Sequence, residues 1–186
     1  MRECSALLPV GRAGKIGRES SRQGLVWDFP ALESAPGGAA GAGGVGADVI
    51  TGAAGNDLLF STSAAAADAA DADADNLDGG LGDDTLALGN TDVATGGDGA
   101  DSFVLMDDAN GAITITDFDA ASDVILVEAA TPGDVSIASQ DTTTSPGNLI
   151  VTLSTGATLT LQGVTAEIPA SAVSGEAPGT TAALPG

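Results

Sequence analysis

The sequence predicts an all-β chain: a short β-solenoid of glycine-rich repeats, followed by a C-terminal β cap or hairpin, with disordered termini. Three observations carry this. A nine-residue period runs from Gly43 to Val104. Each well-formed unit spends its first part on glycines and an aspartate, and its second on one large apolar residue. After Leu105 the period gives way to alternating apolar and polar runs of strand type.

The units read GGVGADVIT, GAAGNDLLF, STSAAAADA, ADADADNLD, GGLGDDTLA, LGNTDVAT and GGDGADSFV, one of them eight residues long. The template is G-G-x-G-x-D-x-U-x, with U large and apolar. Self-similarity at a fixed short period marks a repeat architecture. Three glycines in four residues admit positive φ at more than one position, so 43–48 is a tight turn and Val49-Ile50-Thr51 a short strand. Neighbouring strand residues point to opposite faces: Ile50 turns inward, Val49 and Thr51 outward. Two units make a coil of about 18 residues with a strand on each side. Stacked coils form two parallel sheets around a thin core of Ile50, Leu59, Leu77, Leu86 and Phe103. No such strand buries its apolar residue alone, so each coil depends on its neighbours.

The aspartates bear on function. In an 18-residue register Asp57 stacks over Asp75 and Asp75 over Asp92 on one edge. On the other, Asp84 stacks over Asp101, and Asp48 faces Ala66. Carboxylates about 4.8 Å apart repel unless a cation lies between them. Calcium takes six to eight oxygen ligands, and glycine turns expose carbonyls; such a hard-oxygen cage suits calcium better than zinc or copper. The rival reading is a metal-free solenoid whose aspartates only cap turns, a common use of Asp. Against it, no Lys or Arg lies anywhere near the stacked carboxylates.

Residues 61–75, STSAAAADAADADAD, admit two readings. In one, two degenerate units hold the coil register. In the other, favoured here, an acidic, alanine-rich loop or short helix bulges from the solenoid through about residue 70, and NLDGG resumes it. If the bulge takes out a whole unit, the edges swap and Asp57 stacks over Asp84.

GGVGADVIT, GAAGNDLLF, GGLGDDTLA and GGDGADSFV resemble the nonapeptide repeats of the RTX (repeats-in-toxin, haemolysin-type calcium-binding) family. The resemblance is strong in four units, weak in three, and covers about a third of the chain. It implies a parallel β-roll that folds on binding calcium and is exported by a type I secretion apparatus. It also implies a ligand set: carboxylates of Asp48, Asp57, Asp75, Asp84, Asp92 and Asp101, and turn carbonyls at Gly43, Val45, Gly52, Ala54, Gly79, Leu81, Gly96 and Asp98.

Composition narrows the function. Of 186 residues 27 are Gly and 26 acidic, none is His, and the net charge is −21. All five basic residues (Arg2, Arg12, Lys15, Arg18, Arg22) precede Gln23. Such a surface repels phosphate backbones, so no nucleic-acid partner is expected. No apolar run is long enough for a membrane span, and the single Cys4 excludes an internal disulfide. Without His there is no HExxH metalloprotease site and no His-based nucleophilic catalysis. G-x-S-x-G, G-K-S/T and C-x-x-C are absent, and GRAGKIG (11–17) lacks phosphate-loop spacing. An enzyme is not expected.

The flanks are simpler. Residues 1–22 read as a basic flexible tail, or sequence carried over from a larger protein; SALLPV is too short for a signal-peptide core. QGLVWDFPAL (23–32) is apolar enough to close the open end of the first coil, and SAPGGAAGAG (34–43) is a linker. In the region 106–165, Ala112–Thr116 and Val124–Val127 are strand runs joined by a polar turn. Phe118 covers the last coil. Asp117, Asp119 and Asp123 have metal-loop spacing, though aspartate-rich turns are ordinary. NLIVTL and ATLTLQ form a hairpin about Ser154-Thr155-Gly156, and Val135–Ala138 supplies a third strand. Residues 166–186 are Ala, Ser, Gly and Pro rich and read as disordered.

The expected protein is therefore a secreted, monomeric calcium-binding β-roll taking three or four ions. The alternative is a non-catalytic adhesion module of a larger secreted protein, with structural calcium and a polysaccharide or cell-surface partner.

Overall fold

The computed structural model describes residues 38, 40–43, 46–61, 73–106, 111–129 and 131–177. The two-faced coil expected from the repeat is what forms. Strands β1 (Ala40–Ala42), β2 (Val49–Ala54), β3 (Leu58–Phe60), β4 (Asn76–Leu81), β5 (Thr85–Leu88), β6 (Val93–Asp98) and β7 (Ser102–Leu105) alternate between two sheets. Then come β8 (Ala112–Ile115), β9 (Val124–Glu128), β10 (Ile137–Asp141), β11 (Asn148–Leu153), β12 (Thr158–Gln162) and β13 (Val173–Glu176). One sheet runs β1-β3-β5-β7-β9-β13 and the other β10-β11-β12-β8-β6-β4-β2. All pairs are parallel except β10–β11 and β11–β12. The protein is an all-β parallel β-roll. Among the described residues no helix is long and apolar enough to cross a membrane.

Strands β2, β3, β4 and β6 each turn one apolar side chain into the space between the sheets, and β5, β7, β8 and β9 turn two. Ile50, Leu77, Ala94 and Ile115 line up across one sheet, and Leu59, Leu86, Phe103 and Ile125 across the other. Outward-pointing Val49 is 66% exposed beside buried Ile50. Phe118 is buried with its ring centroid 6.1 Å from that of Phe103, covering the coil as expected.

Register across the alanine-rich stretch follows the whole-unit bulge. Val49 pairs with Asn76 and Leu58 with Thr85, an offset of 27 residues, whereas Asn76–Val93 and Thr85–Ser102 are offset by 17. One nonapeptide has left the coil. The register that set Asp57 over Asp75 and Asp48 opposite Ala66 is overturned; Ala66 lies outside the described residues. The physical reason is that alanine supplies neither the positive φ of the turn nor a large inward side chain.

Beyond Leu105 the roll continues for another coil. β8 joins one sheet and β9 the other, so the two strand runs belong to opposite walls and do not pair. The expected hairpin is β11–β12, and the third strand forms at β10, two residues later than Val135–Ala138. This small antiparallel sheet adds to the roll because β12 lies parallel to β8.

Two segments depart from their expected disorder. Ala40–Ala42, placed in a linker, is strand β1 on the edge of β3. Within 166–186, Ala170–Ala172 forms a 3-10 turn and Val173–Glu176 forms β13, parallel to β9. In both cases a neighbouring strand with unpaired backbone groups recruits a segment of low strand propensity. The expected cap at 23–32 and the tails at 1–22 and 178–186 lie outside the described residues.

The turns take the left-handed backbone that the glycines allow, at the second and fourth positions of the unit: Gly80, Gly82, Gly97 and Gly99 have φ of 101° to 152°. In GAAGNDLLF the second position is Ala53, at φ 84°. A side chain there costs about 1–2 kcal/mol, less what glycine forfeits in unfolded-chain entropy. Ala53→Gly is expected to raise stability by about 1 kcal/mol, read as a higher urea midpoint at unchanged m-value. Leu86→Ala, deep in the core, is expected to cost about 2–5 kcal/mol in the same assay.

Candidate metal site: two edges of stacked turns

The turns from the β2 sheet to the β3 sheet lie one above another along the first edge. They are Gly52–Asp57, Gly79–Asp84 and Gly96–Asp101, ended by the longer turn 116–123. The second edge carries Gly43–Asp48, the segment ending at Asp75, and the short turn Gly89–Asp92. All six predicted carboxylates occupy these edges, and all six residues are buried. Asp57, Asp84 and Asp101 follow one another on the first; Asp48, Asp75 and Asp92 on the second.

The stack has a repeating bond. The amide of each aspartate donates to Oδ1 of the aspartate one coil later. Asp57 donates to Asp84 at 2.7 Å and Asp84 to Asp101 at 2.9 Å. Asp48 donates to Asp75 at 2.7 Å and Asp75 to Asp92 at 3.1 Å. The carbonyl of the same residue accepts from the next coil's following amide, as in Thr85 N–H to Asp57 O at 2.8 Å. Each aspartate thus clamps its coil to the next by side chain and backbone together.

The second carboxylate oxygen turns toward the first glycine of its own unit. A Cβ on Gly79 would overlap Asp84 Oδ2 and stand 2.6 Å from Gly96 O. A Cβ on Gly52 would overlap Asp57 Oδ2 and stand 2.6 Å from Gly79 O, and one on Gly96 would overlap Asp101 Oδ2. On the second edge, a Cβ on Gly43 would come within 2.8 Å of Asp48 Oδ2 and 2.6 Å of Ser61 O. At Gly43, Gly52 and Gly79 a carboxylate oxygen and a backbone carbonyl thus come together where no side chain fits; at Gly96 the carboxylate oxygen meets the Phe103 ring instead. Asp84 Oδ2 is buried and has no hydrogen-bond partner.

The remaining predicted carbonyls are placed differently. Leu81 O and Asp98 O accept from Gly55 N–H and Gly82 N–H at 2.8 Å, tying successive turns together. Ala54 pairs with Leu81 in the sheet. Val45 lies outside the described residues. Asp92 is held by backbone donors on both oxygens: Asp75 N–H on Oδ1 and, at 2.7 Å, Gly89 N–H on Oδ2. Its unit is the short one, and the carboxylate closes the tightened turn.

Asp123 extends the first edge. It accepts from Asp101 N–H at 3.1 Å, and its other oxygen from Asp119 N–H at 2.8 Å. Its sequence signal is an aspartate directly before a strand, D-V-I in place of the repeat's D-x-U, displaced by the longer turn. Asp117 accepts from Gly96 N–H and Gly97 N–H at 2.9 and 2.8 Å, and Asp119 from Ala121 N–H. These three aspartates hold backbone amides and do not converge. Among the described residues no three His, Cys, Asp or Glu side chains gather at one point. Any ion held here rests on one or two carboxylates plus carbonyls.

Burial is the largest influence on Asp84, raising its pKa from the usual 3.8 to about 6. The Asp57 amide opposes the rise, while the charges of Asp57, Asp101 and Asp83 add to it. Asp101 is raised as well, by burial first and then by Asp123, Asp117 and Asp83, against the Asp84 amide. At the end of β10, hydrogen bonds from Thr144 and Thr143 hold Asp141 well below the usual carboxylate range.

No protein-family profile matches this chain, and no curated protein does. Among solved structures the chain is similar to the AlgE6R3 subunit of the Azotobacter vinelandii mannuronan C5-epimerase, determined in solution. The identity is 19% and the TM-score 0.39, over 84% of this chain and 85% of that one.

A raised pKa means that the folded state holds the Asp84 proton more tightly than the unfolded chain does. Without divalent cations, the stability due to Asp84 is therefore present below about pH 4 and lost as pH rises through about 6. In chelator, the folded fraction read by far-UV circular dichroism should fall as pH rises through that window. Asp84→Asn should flatten this dependence and be the more stable protein in chelator at neutral pH.

Proposed function

We propose that the roll binds calcium along its two edges and that this binding is coupled to its folding. The observation that carries the reading is the buried Asp84 Oδ2, without a hydrogen-bond partner, in a cradle lined by the Gly96 carbonyl. A buried anion left uncompensated is costly, and this one lies between the like charges of Asp57 and Asp101. No basic residue exists in the sequence from Gln23 onward to neutralise it. A hard cation satisfied by carboxylate and carbonyl oxygens supplies what is missing.

Asp57, Asp84 and Asp101 with the cradles at Gly52, Gly79 and Gly96 would hold ions on the first edge. Asp48 and Asp75 with Gly43 would hold one on the second. Three or four ions per chain is the expected stoichiometry. Asp92 and Asp123, each held by backbone amides on both oxygens, serve their turns. The role is non-catalytic.

Extracellular calcium modules bind at roughly 10⁻⁴–10⁻³ M. A roll with such sites is loose at cytosolic calcium and compact outside the cell, which agrees with the export by a type I apparatus that the RTX resemblance implies.

A calcium titration followed by far-UV circular dichroism, with calorimetry for stoichiometry, tests the reading. The expected result is a cooperative gain of β signal at submillimolar to millimolar calcium, reversed by chelator. A spectrum equally β-rich in chelator, with no heat of binding, would overturn it. Asp84→Asn and Gly79→Ala should each weaken calcium affinity by an order of magnitude or more. Acidification should release ions, because ligand carboxylates must be ionised.

A further inference from the structure

The two walls of the roll differ on their outer faces. On the β2–β4–β6 wall the outward residues Val49, Thr51, Asn76 and Asp78 are exposed, as an open sheet face should be. On the β3–β5–β7 wall the outward row is Phe60, Ala87, Val104 and Leu126, aligned by strand register. This row is apolar, and Ala87 and Val104 are each only 1% exposed. Leu58, also outward, is 5% exposed. Leu58, Ala87 and Val104 do not belong to the cluster between the sheets. They are buried from the other side, and no described element packs on that side.

We infer that the N-terminal segment 23–32, QGLVWDFPAL, docks on this outer face and covers the row from Phe60 to Leu126. Three observations favour this occupant. The segment carries Leu25, Val26, Trp27, Phe29 and Leu32, a density of bulky apolar side chains that alanine-rich 62–72 lacks. The first described residues lie beside the β3–β5–β7 wall: Gly38 lies against Asn56, at the turn entering β3, and Ala40–Ala42 pairs with β3 itself. The six residues from Leu32 to Gly38 span up to about 20 Å, against about 14 Å across three strand spacings from β3 to β9. On this proposal the segment runs along the side of the roll and couples the N-terminus to the assembly of β3, β5 and β7. The row it covers exists only once those strands are adjacent.

Trp27 is the chain's single tryptophan and reports directly. Fluorescence is measured on the full chain at whatever calcium concentration, zero included, gives the β spectrum, so the test survives failure of the calcium reading. The expected result is a blue-shifted Trp27 emission, protected from acrylamide and independent of protein concentration. Val104→Asp should shift it to the red and raise quenching severalfold. Because Val104→Asp can also weaken the roll, Phe29→Asp is measured beside it. That variant leaves every strand intact and should expose Trp27, raise binding of an apolar dye, and keep the β spectrum. A solvent-exposed Trp27 on a folded roll would overturn the inference. Protection that rises with protein concentration would also overturn it, since a second copy would then be the cover.

Discussion

The bond between an aspartate amide in one coil and an aspartate carboxylate in the next sets the terms for the rest of the roll. It requires a carboxylate on every turn, so negative charge accumulates along each edge. It draws that carboxylate inward against the first glycine of its unit, which is why no side chain fits there. The turn must then swing the chain to the opposite wall within a few residues, using left-handed backbone at the second and fourth positions. The template G-G-x-G-x-D is thus one geometric solution, its glycines answering to its aspartate.

The two edges use this solution unequally. Along the first, three full turns succeed one another, and Asp123 ends the series from within a longer turn. Along the second, the full turn at Gly43–Asp48 is followed by a segment that has lost its glycines and by a turn shortened to Gly89–Asp92. There Ser61 Oγ and Asp92 Oδ2 both accept from Gly89 N–H, at 3.0 and 2.7 Å. Side chains have taken over work that backbone geometry does on the other edge. The full glycine turns therefore concentrate on the first edge.

Much of this was legible in the sequence because a period of nine with a fixed inward residue leaves few folds open. Ile50, Leu59, Leu77, Leu86 and Phe103 fall where the alternation puts them. Pairing across the alanine-rich stretch was not decidable, since its nine-residue phase fits either an intact coil or a missing unit. β1 and β13 were invisible for another reason: AGA and VSGE have little strand character, and their pairing comes from the edges of β3 and β9. Asp123 was hidden by spacing, because its turn is longer than the repeat. The covered row Phe60–Ala87–Val104 lies at positions the template leaves unspecified, so the period carries no information about it.

The coils also define how the protein would bear load. Each coil meets only the coil before and the coil after it, and the C-terminal side is locked by antiparallel β10–β11–β12 and by the return of β13 to β9. The N-terminal side ends in β1 and β2, held by one neighbour each within their sheets. A pull between the two ends therefore loads a strand with a single neighbour at each, β1 on one side and β13 on the other. The coil from Asn76 to Val93, shortened to 17 residues by the eight-residue unit, yields about 60 Å of chain as it lets go.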